Sequence, residues 1–167
     1  MHVTVDLDRI AHQEQRLRFP AFDESIAWKL GSRLRELAEE RGQAVTIEVR
    51  LGGATVFLVA MCGTAPANAD WARRKRNLVE LLHISSYRLG LEAERDGRSA
   101  IEQMGLDPRH HANHGGAFPV VVDGVGVVGV VTVSGLPQRA DHELVVEVLA
   151  EHLDIDHHDV RLHKKTT

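Results

Sequence analysis

Val45-Thr46-Ile47-Glu48-Val49-Arg50-Leu51-Gly52-Gly53-Ala54-Thr55-Val56-Phe57-Leu58-Val59-Ala60-Met61 is the stretch that decides the fold class. Val45, Ile47 and Val49 alternate with Thr46, Glu48 and Arg50, the period of a half-buried strand. Gly52-Gly53 makes a tight turn, and Thr55 to Met61 returns as a second, more apolar strand. Two glycines between strand-like runs signal a hairpin. A second hairpin follows: Ala117 to Val122 reads as a strand, Asp123-Gly124 as the turn, and Val125 to Ser134 as a buried, valine-rich strand. Pro119 cannot donate to a ladder, which implies an edge position or a strand start.

Helical periods surround the hairpins. Leu7, Ile10, Ala11 and Leu17 suggest a short helix over Asp6–Leu17. Phe22, Ile26, Leu30, Leu34 and Leu37 form a stronger stripe, with Asp23 as N-cap and Gly42 as the stop. Cys62 to Asp70 reads as a loop. A long helical region then runs from Ala69 to Arg95, capped by Asp70 and broken near Ser85-Ser86. Pro137 opens the last helix, on which Leu144, Val145, Val148, Leu149 and His152 share a face. The order predicts an α/β (α+β) fold: one mainly antiparallel sheet with helices packed on its faces. Residues 1–153 are expected to form a single domain. Residues 154–167 have little apolar periodicity and are expected to fray, so that deleting Asp156 to Thr167 leaves the melting temperature almost unchanged.

The composition narrows the class. The 167 residues, 43% hydrophobic and 26% charged, suit one solvated globular domain, and the net charge of −4 argues against a nucleic-acid partner. Cys62 is the only cysteine, which points to a reducing cytoplasm. Met1 to Arg18 lacks the apolar run of a secretory signal. Val125 to Val133 is far short of the roughly 20 residues of a membrane helix.

Two segments carry candidate chemistry. Asn113-His114-Gly115-Gly116-Ala117-Phe118-Pro119 sets a histidine beside paired glycines, whose backbone N–H groups can face an anion or a carbonyl. A Cβ on Gly116 would block either the turn or a ligand's approach. The alternative is a loop whose glycines serve only the turn into a strand. Trp71-Ala72-Arg73-Arg74-Lys75-Arg76 places Trp71 and Lys75 on one helical face and Arg74 beside it. A basic group next to an apolar stripe needs a partner. That partner is a ligand carboxylate or phosphate, Glu80, or a carboxylate from another element. His83 follows Lys75 by eight residues and is expected to share its space. The candidate ligand-binding residues are therefore Trp71, Arg74, Lys75, His83, His114, Gly115, Gly116 and Phe118. His110, His111 and His114 lack metal-ligand spacing, so no metal is expected. Gly124-Val125-Gly126-Val127-Val128-Gly129 continues as a strand rather than opening a helix, which excludes a dinucleotide fingerprint.

These segments, with Arg18-Phe19-Pro20-Ala21-Phe22-Asp23, Gly105-Leu106-Asp107-Pro108, Val131-Thr132-Val133-Ser134-Gly135-Leu136-Pro137-Gln138 and Asp141-His142, make a pattern. The chain resembles the UPF0303 (YBR137W-like) family, within the wider group of haem-degrading, GlcG- and HbpS-like domains. The resemblance covers Glu14 to Leu153. It implies a profilin-like sheet flanked by helices in a three-layer α-β-α sandwich, and a homo-oligomer, either a dimer or an assembly of dimers. It also implies a small-molecule site, since some wider relatives bind haem. The wider pattern has Gly-Gly-x-Pro where this chain has Gly115-Gly116-Ala117-Phe118-Pro119, and glutamate at the position of His142. The chain thus reads as an oligomeric domain that binds haem or another small anionic metabolite. The alternatives are a non-enzymatic oligomeric scaffold or adaptor and, without a recognisable nucleophile or cofactor loop, a hydrolase or oxidoreductase.

Overall fold

The computed structural model describes residues 2–163. The elements run α1 (His2–Arg16), β1 (Arg18–Phe19), α2 (Glu24–Glu40), β2 (Thr46–Leu51), β3 (Ala54–Ala60), α3 (Pro66–Leu82), α4 (Ser86–Asp96), α5 (Ala100–Gln103), β4 (Ala117–Val122), β5 (Gly126–Ser134), α6 (Gln138–His152) and α7 (His157–Val160). Both hairpins form, and β5 pairs with β2 to join them into one sheet of order β1-β4-β5-β2-β3. All pairings are antiparallel except β1 with β4, a two-residue strand too short to show a period. Because β1 reaches only Val121 and Val122, Pro119 lies where β4 has no outer neighbour to serve.

The strand alternation divides the side chains between two layers of helix. Ile47, Val49, Phe118, Val120, Val131 and Val133 point into the main core with Leu30, Leu34, Leu144 and Val148 of α2 and α6. On the opposite face Ala117 and Val130 meet Val79 of α3. This is the expected sandwich. Burying a side chain such as Val133 or Leu34 contributes about 1.5–3 kcal/mol, so the main cluster dominates stability. Among the described residues no helix is long and apolar enough to cross a membrane.

Two expectations are corrected. Helix α3 starts at Pro66 rather than near Asp70, with Asn68 Oδ1 accepting from the Ala65 N–H at 2.9 Å; Asp70 instead pairs with Arg73 and Arg74. The break expected near Ser85-Ser86 forms there: His83 closes α3 in the left-handed region at φ 59°, and Ser85 is the N-cap of α4.

The second correction concerns the C-terminal segment, which packs as far as residue 163; residues 164–167 lie outside the described residues. Val160 and Leu162 are buried, and the backbone between them is held by side chains of α1 and α6. Arg9 donates to the carbonyls of Asp159 and Arg161 at 2.8 Å, and Gln13 to that of Val160 at 2.7 Å. Arg139 donates to the His163 carbonyl, and the Leu162 N–H donates to Glu143. Backbone anchoring leaves no periodic signature, which is why the sequence does not reveal it. Deleting residues 157–167 exposes two buried apolar side chains at about 1.5–3 kcal/mol each. At roughly 2–4 °C per kcal/mol, the melting temperature should fall on the order of 10 °C in a calorimetric scan.

His142 lies wholly buried under the same segment, its Nε2 2.8 Å from Gln13 Oε1. Burial, aided by Arg139, holds its pKa down at about 3 from 6.5. Between those values the unfolded chain takes up a proton that the folded one refuses, so stability declines as pH falls through the window. At about 1.4 kcal/mol per pH unit, His142→Gln should lose about 2 kcal/mol less than the wild-type chain between pH 7 and pH 5 in urea unfolding.

Candidate functional site

Lys75 is the organising residue. It sits on the sheet-facing side of α3, is only 2% exposed, and directs its ammonium into the junction of three segments. Nζ donates to the Gly115 carbonyl at 2.8 Å, the Val133 carbonyl at 2.6 Å and Asp141 Oδ2 at 3.2 Å. Asp141 lies in the first turn of α6 and also accepts from the backbone N–H of Leu136 at 2.9 Å. Burial pushes the Lys75 ammonium down and the Asp141 carboxyl up, and each group's charge opposes the other's shift. The pair is an ion pair stabilised by backbone groups.

This geometry corrects the role expected of Lys75. An ammonium has three protons, and all three are directed to protein acceptors, which leaves none for a ligand anion. The partner the sequence required is a carboxylate from another element. It was out of reach of sequence spacing because Asp141 lies 66 residues away.

The glycines serve the same junction. Gly116 has φ +126°, and a Cβ there would run into the Val133 carbonyl and the Lys75 ammonium. A Cβ on Gly115 would strike the Gln138 carbonyl and the ring of Tyr87. The Gly116 carbonyl accepts from the Val133 N–H at 2.8 Å, and the Gly115 N–H donates to Gln138 Oε1 at 3.2 Å. Both glycines are therefore needed for folding before any ligand is considered.

What faces outward is His114. Its ring packs edge-on against Trp71 with centroids 4.8 Å apart, and the Arg74 guanidinium lies 3.9 Å over the Trp71 ring. Asp70 accepts from Arg74 at 3.0 Å and from Arg73 at 2.9 Å. The Arg73 hydrogen bond, more than any other influence, holds its carboxyl below the usual range. Arg73 also contacts His110 Nδ1 at 3.1 Å and donates to the Arg109 carbonyl. Burial, together with the nearby charges of Lys75 and Arg74, lowers the pKa of His114. A neutral imidazole accepts a hydrogen bond or ligates a metal centre.

The structure thus brings together Trp71, Arg74, His114, Gly115, Gly116 and, beneath them, Lys75. Two expected residues lie elsewhere. His83, about 12 Å further along the helix at 1.5 Å per residue, is exposed beside Gly52, Gly53 and Glu80 in a separate groove of about 300 Å³. Phe118 is buried in the main core, because the strand alternation turns it away from Ala117. Arg73, Arg109, His110 and Asp141 complete the site and were not among the candidates. Among the described residues no cluster of His, Cys, Asp or Glu is placed to hold a metal ion.

Lys75→Met should cost about 3–5 kcal/mol by leaving Asp141 buried and uncompensated. Pairing it with Asp141→Leu should restore part of that loss in a double-mutant cycle read by urea unfolding. Additive losses would show that the two groups are not coupled.

Residues 22–150 match the family described as "Haem degrading protein HbpS-like". A UPF0303 protein of Azotobacter vinelandii is 57% identical over 154 residues, 92% of this chain and 93% of the relative. One from Burkholderia thailandensis is 52% identical over 153 residues, again 92% and 93%. The solved structure of the Ybr137w protein superposes with a TM-score of 0.81 at 25% identity, covering 89% of this chain and 87% of that one. The structure of a PduOC:heme complex superposes with a TM-score of 0.66 at 16% identity, covering 78% and 94%, a likeness of fold. The chain belongs to the HbpS-like family and is one of its UPF0303 proteins.

Proposed function

We propose that the surface built from His114, Trp71 and Arg74 binds a planar, anionic small molecule, with haem as the ligand class to test first. The observation that carries the reading is the state of His114: exposed, kept neutral by its surroundings, and fixed in place by Trp71 and by the glycine turn that Lys75 locks. The residue types suit haem. An axial ligand is available in His114, guanidinium partners for propionates in Arg73, Arg74 and Arg109, and an aromatic wall in Trp71. Haem would supply the redox and ligand-exchange chemistry of its iron. The chain's own residues would bind and orient it. The match to a family described by haem degradation, and the likeness in fold to a protein solved with haem, support the choice of probe.

Titration of the protein with ferric haem should shift the Soret band and saturate. His114→Ala should weaken binding by tenfold or more, about 1.4 kcal/mol, with unchanged thermal stability. Arg74→Ala should weaken it less. Equal affinity in wild type and in both variants would overturn the site.

The second reading, a non-enzymatic oligomeric scaffold, draws on a different surface. Strand β3 at the sheet edge exposes Leu58, and exposed Trp28 of α2 stands against Phe57 of the same strand. We propose that the chain self-associates, a property compatible with ligand binding; a mass of one chain by light scattering at micromolar concentration, constant on dilution, would overturn it.

A further inference from the structure

Asp70, Arg73 and Arg74 lie within about one turn of α3, at spacings of three and four residues. Arg73 donates to one oxygen of the Asp70 carboxylate at 2.9 Å and Arg74 to the other at 3.0 Å. A single carboxylate thus bridges two guanidinium groups, which is the arrangement a ligand carboxylate would adopt on the same pair. Trp71 joins the pair to His114, with the Arg74 guanidinium 3.9 Å over its ring and the imidazole packed edge-on against it. A ring-shaped ligand held at His114 therefore brings acid groups on its rim toward Arg73 and Arg74.

The three side chains are held unequally. Arg74 is 18% exposed, rests on Trp71 and donates to the Pro108 carbonyl at 3.4 Å. Arg73 donates to the Arg109 carbonyl at 2.9 Å and meets His110 Nδ1 at 3.1 Å. The loop that both arginines grip is itself pinned to α3. Asn77 donates to the His110 carbonyl at 2.9 Å, and the Ala112 N–H to the Arg74 carbonyl at 3.1 Å. Asp70, by contrast, is 51% exposed, and among the described residues its carboxylate bonds to nothing but the two arginines. The start of α3 does not need it, because Asn68 serves there.

Exposed ion pairs contribute little, so rotating the Asp70 side chain into solvent costs little. The rotation leaves both guanidinium groups in place, side by side, with two N–H groups vacated. We infer that Arg73 and Arg74 form a carboxylate subsite, that Asp70 fills it in the free protein, and that a ligand carboxylate enters by displacing Asp70. The inference rests on the ligand reading above and adds a specificity to it. One carboxylate replaces another, so the charge of the subsite is the same before and after. A ring without acid groups gains nothing from it, and Asp70 works against every ligand that has them. Were Asp70 instead the group that positions the arginines, its loss would weaken acid ligands, the opposite sign.

Ferric haem and its dimethyl ester share iron and ring and differ in their two carboxylates, so titrations read at the Soret band separate this subsite from His114. Wild type should bind haem more tightly than the ester. Asp70→Asn should tighten haem binding about fivefold, the scale of an exposed ion pair, and leave the ester unchanged, with the circular dichroism spectrum of wild type. Asp123→Asn, which removes an equal charge beyond the far end of β4, should change neither. Weaker haem binding by Asp70→Asn would overturn the inference and make Asp70 a positioning residue. An equal gain for haem and ester, or equal affinity for the two compounds in both proteins, would overturn it while leaving the His114 reading in place. No Soret shift with either compound in either protein would overturn both.

Discussion

The buried contact between Lys75 and Asp141 holds the functional half of the molecule together. It joins α3, the turn before β4, the end of β5 and the start of α6, four elements spread across 66 residues of sequence. Burying an ammonium and a carboxylate is costly, and the cost is offset only because every proton and most lone pairs find partners. Lys75 reaches two carbonyls as well as Asp141, and Asp141 receives the Leu136 N–H as well as Lys75. Such a network tolerates one geometry, and that rigidity is what it passes to its surroundings.

The outward chemistry follows from the inward constraint. With Gly115 and Gly116 fixed against Lys75, Gln138 and Tyr87, the preceding residue has one direction to take, and His114 is set against Trp71. The cations near it divide into two kinds. Lys75 is buried and its protons are spoken for, yet its charge still helps to keep His114 neutral. Arg73 and Arg74 are nearer the surface and share one carboxylate, Asp70, so positive charge is in excess there. A neutral imidazole beside unbalanced guanidinium groups suits an anion that also offers a site for nitrogen.

Residues outside the family match, 22–150, make a second layer. Helix α1 and the segment through residue 163 pack on each other and close over α6, with Arg9, Gln13 and Arg139 gripping backbone carbonyls. The layer shelters His142 and its Gln13 partner. It also lies against Arg139, one residue beyond Gln138, whose side chain holds the Gly115 turn.

The sequence alone determined whatever depends on neighbours a few residues apart. The periods of two and 3.6, the Gly52-Gly53 and Asp123-Gly124 turns, and the helix start at Pro137 were legible, and they were enough for an antiparallel sheet with helices on both faces. They also showed that a basic residue on α3 must be paired and that His114-Gly115-Gly116 was a place to look. Tertiary structure decided everything that depends on distant partners. It chose Asp141 for Lys75, turned Phe118 into the core and carried His83 to the far end of α3. It added the two-residue strand β1, and it bound a segment expected to fray through its carbonyls. The physical reason is common to all of these. Local periodicity reports which face of an element is apolar, whereas the pairing of charges and of backbone groups is fixed only when separate faces meet.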